Sequence, residues 1–373
     1  FNGGTSNDCT VYFECVPRNA LEKIMWMESD RMGYFINTVT QSGLEREIDV
    51  ICNEKRQTEV NNAYGMMDGI MCKEFFPNRH PYSWTVIGEF EDVKSATIED
   101  VKEFYGTYYV PSNATLCIAG AFDTKEVKAL IEKYFAEIPS HPVEKPAVWD
   151  VTLNETKAVY YEDQFANMPA VEVAYTAVAS GQNDEAALDV FCNLFGRGKN
   201  APPYKNVVEA KLAPAAQVYN NARESAGMID IMINAFPGVD DDDIMAAIAK
   251  ATADFEANGV NEEELATVKA ENETSAYRRL GSVLGKAQML AQNKEFFGKP
   301  DKFVDDIASI NAVTAEDVMR VYNKYVKDAN YVAVVAVPKG QGELAIEGSR
   351  LADIVMEDQS KQTMRSAAGA VVD

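Results

Sequence analysis

Apolar positions recur along this chain with two periods, and the switches between them outline its elements. Alternation with a period of two marks "TVYFECV" (10–16) as a strand. Helical spacing follows over about 18–33 and 42–72, then over 97–109 behind a Thr-x-x-Asp signal, with a strand at 114–120 and a helix at 124–136. Beyond a Pro-rich stretch the pattern predicts strands near 157–162 and 170–177, a helix at 183–196 and a strand at 227–235. Helices at 240–257, 260–280 and 281–297 come next. The run "YVAVVAV" (331–337) suits a strand buried on both faces.

Within the second predicted helix, "SGLEREIDVICNEKRQTEV" (42–60) has Leu44, Ile48 and Ile51 as its apolar stripe. Glu47 and Glu54 lie along the edge of that stripe, seven residues apart. That spacing is close to two helical turns, so both carboxylates project from nearly the same side. Such a pair faces either water or a positive charge.

The chain also repeats itself. "TIEDVKEFYGTYYVPSNATLCIAG" (97–120) aligns without gaps on "TAEDVMRVYNKYVKDANYVAVVAV" (314–337). Thr97, Asp100, Val101, Tyr105, Tyr108 and Asn113 meet identical residues at Thr314, Asp317, Val318, Tyr322, Tyr325 and Asn330. The expectation is α+β class with two homologous domains, 1–143 and 144–341, each a mostly antiparallel sheet covered by helices on one face. The boundary falls in "IPSHPVEKPAVWD" (138–150). Periodicity fades after about 340, and 342–373 reads as a linker or tail. Phe1 opens the chain in what the alternation reads as mid-strand, so a preceding segment is expected.

A formal charge of −23 argues against nucleic acid or anionic lipid as partner. No apolar run has the length of a membrane span. The cysteines at 9, 15, 52, 72, 117 and 192 show no CxxC pair or zinc-finger spacing and read as plain thiols. "GRGKN" (196–200) lacks the context of a phosphate loop and reads as a turn. The acids of "DDDD" (240–243) suit a helix start. Phe104, Tyr105, Tyr108 and Tyr109 follow core spacing, while His80 and His141, each before a proline, read as loop residues.

Several stretches together are similar to the pitrilysin/insulinase family of zinc metallopeptidases, whose metal motif is H-x-x-E-H. "NGGTSNDCTVYF" resembles the family's substrate-edge strand, "MWMESDRM" the helix before its metal helix, and "LEREIDVICNEKRQ" that helix itself. "HPYSWTVIGEFEDVKSATIEDVKEFYGTYYVPSNATLCIAGAFD" matches the block that follows. "NVVEAKLAPAAQVYNNARESAGMIDI" and "GVNEEELATVKAENETSAYRRLGSVLGKAQML" fit the domain without metal ligands. The resemblance implies a mitochondrial-processing-peptidase-like metallohydrolase fold and an endopeptidase acting on peptides or small unfolded proteins. It implies Glu54 as a zinc ligand and Glu47 as its support from behind. Asn2 and Gly3 fall on the edge that takes substrate as an added strand.

The departure from the pattern is large. The H-x-x-E-H motif belongs about 70–80 residues before the glutamate ligand. Only 53 residues precede Glu54 here, and they lack the motif. The general base and two histidine ligands are therefore expected in a missing N-terminal segment. The intact enzyme is expected to use zinc, and the chain as given to hold none and be inactive. The family's substrate-clamping Arg and Tyr are replaced by Val208 and Ala215, so a C-terminal half or a partner subunit would supply the clamp. A non-catalytic scaffold of the same fold is the alternative. Relatives of this kind place the protein in the periplasm or among exported proteins.

Overall fold

The computed structural model describes residues 2–354, so the part of the expected tail from 355 to 373 lies outside the described residues. The N-terminal lobe opens with an antiparallel hairpin, β1 (Asn2–Thr5) and β2 (Thr10–Phe13), in register Asn2 with Phe13. Six helices follow: α1 (Leu21–Gly33), α2 (Gln41–Lys55), α3 (Met67–Phe75), α4 (Phe90–Ser95), α5 (Ile98–Tyr108) and α6 (Thr124–Phe135). Side-chain caps fix several of their starts. Thr40 accepts from the Gly43 amide, Thr97 and Asp100 form a reciprocal box, and Asp123 accepts from the amides of Lys125 and Glu126.

The helix expected over 42–72 is broken in two. Between α2 and α3 a π-type turn at Arg56–Val60 leads to Tyr64, held at a φ of 65°. The amide of Tyr64 donates to the carboxylate of Asp163 in the C-terminal lobe at 2.7 Å, and its hydroxyl to Met168 O at 3.0 Å. Asp163 is buried and also accepts from the amides of Phe165 and Ala166, so its charge is well satisfied. A contact with residues about 100 positions away thus outweighs local helix propensity.

The C-terminal lobe contains β3 (Lys157–Asp163), β4 (Ala170–Ala177), α7 (Glu185–Gly196), β5 (Ala216–Ala222) and β6 (Gly227–Asn234). Then come α8 (Asp241–Asn258), α9 (Glu262–Leu280), α10 (Val283–Phe297), α11 (Lys302–Ala312), α12 (Ala315–Tyr325), β7 (Tyr331–Pro338) and β8 (Arg350–Leu351). The strands form one mixed sheet in the order β5-β6-β4-β7-β3-β8. The pairs from β5 through β7 are antiparallel, and β3 runs parallel to both β7 and β8. The α+β class holds.

The cover of this sheet differs from the expected single helical face. On one face Ala333, Val335 and Val337 of β7 pack with Leu188, Phe191, Ile248, Phe255 and Tyr322 from α7, α8 and α12. On the other, Val332, Val334 and Ala336 meet Ile70, Met71 and Phe75 of α3, with Phe76 and Tyr82 of the N-terminal lobe. Apolar residues at both parities of β7 demand cover on both sides.

Two further expectations are corrected. Residues 342–354 are not the start of a loose tail: β8 pairs with β3, and Ala352 and Ile354 join the core beneath α3. The stretch 114–119 forms no strand and belongs to no sheet among the described residues. A strand needs a partner, and the N-terminal lobe's described sheet has two strands where its counterpart has six.

Two acids lie on the face that α3 covers. Burial, with Asp230 and Asp68 nearby, pushes the Glu172 carboxyl up to about 8. Burial raises Asp230 to about 6 against a hydrogen bond from Asn221 that favours its charged form. A carboxyl whose folded value is raised costs nothing below its unfolded value near 4.5; the cost grows with rising pH and levels off above 8. Glu172→Gln should therefore stabilise the protein at pH 8, by on the order of 2 kcal/mol. The gain should vanish toward pH 4.5, as urea titrations across that range would show.

Gly227 begins β6 where an added Cβ would lie 2.0 Å from Val178 O. Gly227→Ala should destabilise the protein by about 2–4 kcal/mol, read as a markedly lower urea midpoint, because backbone rather than a side chain must move.

Candidate functional site

The candidate residues lie on separate elements of the N-terminal lobe: Asn2 and Gly3 on β1, Glu47 and Glu54 on α2. α2 buries Cys52 and Lys55 and rests on α4 and the π-type turn. The Lys55 ammonium pairs with Glu59 and lies 5.6 Å from the ring centre of Phe90, which fixes the rotation of the helix. Glu47 and Glu54 consequently face outward. Both are exposed, and neither side chain has an ion-pair or hydrogen-bond partner among the described residues. Val50, between them on the same side, is 51% exposed.

The C-terminal lobe provides an internal reference for this stripe. Counting from the capping residues, Thr40 of α2 and Asn261 of α9, Leu44 falls on Leu265, Glu47 on Val268 and Glu54 on Ser275. Leu265 and Val268 are buried, and α9 packs against α7. In α2 the stripe is half-buried at Leu44, and Glu47 and Glu54 are exposed.

The repeated block shows the same contrast. α5 and α12 carry identical capping boxes, Thr97 with Asp100 and Thr314 with Asp317. Val321 of α12 is fully buried, whereas Phe104 at the matching position of α5 is 59% exposed. The expected core role of the 104–109 aromatics thus holds only in part. Phe104 and Tyr108 are exposed, while Tyr105 donates to carbonyls of α1 and stacks on Tyr109. α12 gains its cover from α7 and β4, and α5 has no counterpart of either among the described residues.

The hairpin can be placed in the same way. If β1 and β2 occupy the positions of β5 and β6, the free side of β2 matches the side of β6 that pairs with β4. The outer side of β1 matches the outer side of β5, which is a true sheet edge. All four residues of β1 are exposed. A Cβ on Gly3 would come within 3.2 Å of Val11 O, and one on Gly4 would meet nothing within 4 Å. The edge is therefore nearly bare backbone, which suits an added strand.

Neither histidine stands near this arrangement as a ligand would. His80 is not a surface loop residue but fully buried, stacked on Phe76, with Nδ1 accepting from the Tyr82 amide. Burial and the Arg223 guanidinium push it below the usual histidine range. His141 is exposed and bonded through Nε2 to Gly106 O at 2.9 Å. Among the described residues no three His, Cys, Asp or Glu side chains converge as a metal site would require. Glu47 and Glu54 are two exposed carboxylates, and among the described residues they are not joined by the further ligands that a zinc site needs. Val208 lies in a π-type turn and Ala215 just before β5, so these positions carry no charged or phenolic group.

Sequence reading overlooked Asp8, in the β1–β2 turn, and Arg223, in the β5–β6 turn. Asp8 bonds Tyr82 and the amide of Glu224, and Arg223 lies over the Tyr82 ring. Partners separated by 74 to 216 positions leave no local periodic signal.

A family model described as the peptidase M16 inactive domain matches residues 95–272. The zinc protease PqqE of Helicobacter pylori is 26% identical over 354 residues, covering 90% of this chain and 76% of that protein. A probable mitochondrial-processing peptidase subunit beta of Arabidopsis thaliana is 23% identical, and the chain spans 64% of its length. A crystal structure of a Helicobacter pylori protease superimposes with a TM-score of 0.80 at 22% identity, covering 90% of this chain and 82% of that one. No described helix is long and apolar enough to cross a membrane. The relationship expected from the motif stretches therefore holds: the chain is homologous to the M16 zinc peptidases and has the M16 family fold.

Proposed function

We propose that the intact protein is a zinc-dependent endopeptidase and that this chain contributes one side of its site. The supporting observation is the pair of exposed carboxylates on α2. At the position where the C-terminal lobe buries Val268 in its core, the N-terminal lobe presents Glu47, with Glu54 two turns on and no partner for either among the described residues. A stripe shaped to receive a helix, yet bearing two carboxylates, suits a helix that brings a cation between them.

In this reading Glu54 is one ligand and Glu47 supports the site, while a helix in the α7-like position, from residues preceding Phe1, supplies two histidines and the general base. When bound there, zinc would polarise the scissile carbonyl. β1 contributes substrate binding. Its outer side pairs with no strand among the described residues. That side takes an extended peptide at Asn2 and Gly3 as a further antiparallel strand, largely independent of its sequence, the peptide replacing the Asn2 Oδ1 to which the Gly3 amide donates at 2.8 Å. With Val208 and Ala215 at the clamp positions, a C-terminal half or partner subunit closes the chamber. The proposed setting is the periplasm or the exported proteins.

A non-catalytic scaffold is the second reading, and the inactive-domain description of the matched family model favours it. The coding sequence upstream of Phe1 separates the two. A frame carrying H-x-x-E-H, expressed with this chain, should bind one zinc by elemental analysis, and Glu54→Gln should weaken that binding at least about tenfold. A continuous frame without the motif, or zinc affinity indifferent to Glu54→Gln, would refute the peptidase reading.

A further inference from the structure

The β1–β2 turn is bound to the C-terminal lobe through the Asp8 carboxylate, with Asn7 beside it. Asp8 accepts from the Tyr82 hydroxyl with one oxygen and from the Glu224 amide, at 3.1 Å, with the other. The Tyr82 oxygen in turn accepts from the Ser225 amide at 2.8 Å. Tyr82 is 1% exposed, and its own amide is held by the buried His80. Asn7 Oδ1 accepts from Arg223 Nη1 at 3.2 Å, and the Arg223 guanidinium lies 4.3 Å from the Tyr82 ring centre. The receiving turn is anchored in its own lobe. Ser180 N donates to Arg223 O at 2.9 Å, and Trp149 N donates to Ser225 O at 2.8 Å. Three segments far apart in the chain, the β1–β2 turn, the 80–82 loop and the β5–β6 turn, therefore meet at Asp8.

We propose that Asp8 is a positioning residue that clasps the β1–β2 turn to the β5–β6 turn and so sets where the β1 edge lies relative to the C-terminal lobe. Beyond this turn the hairpin is tied to its own lobe chiefly through Tyr12, whose hydroxyl lies 2.7 Å from that of Tyr109 and whose ring centre lies 3.8 Å from the Arg31 guanidinium carbon. The burial of β1 and β2 is slight, and they pair only with each other among the described residues. A two-stranded hairpin is marginal on its own. Bonds to a charged acceptor are stronger than neutral ones, so one carboxylate with two donors is an economical anchor. Its use in substrate binding rests on the edge role of β1 proposed above, whereas the clasp itself does not.

Amide hydrogen exchange on this chain tests the clasp. Asp8→Ala and Tyr82→Phe should each speed exchange of residues 2–13 at least about tenfold, with the strands β4, β6 and β7 unchanged. The double variant should add little to either single change, since both break one bridge. Asp8→Glu should restore part of the protection. Unchanged exchange in residues 2–13 for both single variants would overturn the proposal, as would acceleration spread equally through β4 and β7. In a parallel arm, a neutral Thr/Val-rich peptide of about ten residues is added to the unsubstituted chain. Protection of Asn2–Thr5 supports the substrate-edge reading, and its absence refutes that reading alone, with the clasp judged by the variants.

Discussion

The fold depends on one strand having to be covered twice. Every residue of β7 from Val332 to Val337 is apolar and fully buried, so neither face of the sheet can be left to water. The helices of the C-terminal lobe close one side, and α3 of the N-terminal lobe closes the other. Burying a valine or isoleucine side chain is worth about 1.5–3 kcal/mol, and this interface buries several. The two lobes are consequently joined by a core and not by a linker alone. Tyr64 and Asp163, at the break between α2 and α3, secure the same junction with hydrogen bonds.

How much could be read beforehand follows from how local each signal is. The strand at 170–177 and the Thr-x-x-Asp boxes were legible because alternation and capping are short-range patterns. The fully apolar run of β7 announced burial on both sides, though not that another lobe supplies half the cover. The break at Tyr64 was hidden because it answers to Asp163, about 100 residues on. The stretch 114–119 has the pattern of a strand, yet pattern alone cannot make a partner appear. Glu172 and Asp230 looked like ordinary polar positions in half-buried strands, and only the packing of α3 shows the cost they carry.

The candidate site divides along the same line. Glu47 and Glu54 were legible as a pair on one helical side, since spacing within a helix is local. That the two carboxylates are exposed among the described residues while the equivalent stripe of α9 packs on α7 required both lobes in view. The repeated capping boxes and helices let one lobe serve as a reference for the other. Val268 is buried in apolar contact, whereas Glu47 at the matching position is exposed.

The free side of β2 has a practical consequence. Among the described residues no strand pairs with it, at the place where the C-terminal lobe seats β4 beside β6. A ribbon edge of that kind accepts whichever extended segment arrives first, including one from another molecule. During biosynthesis the order in which complementary segments emerge would then matter, because a late arrival leaves the edge open to intermolecular templating.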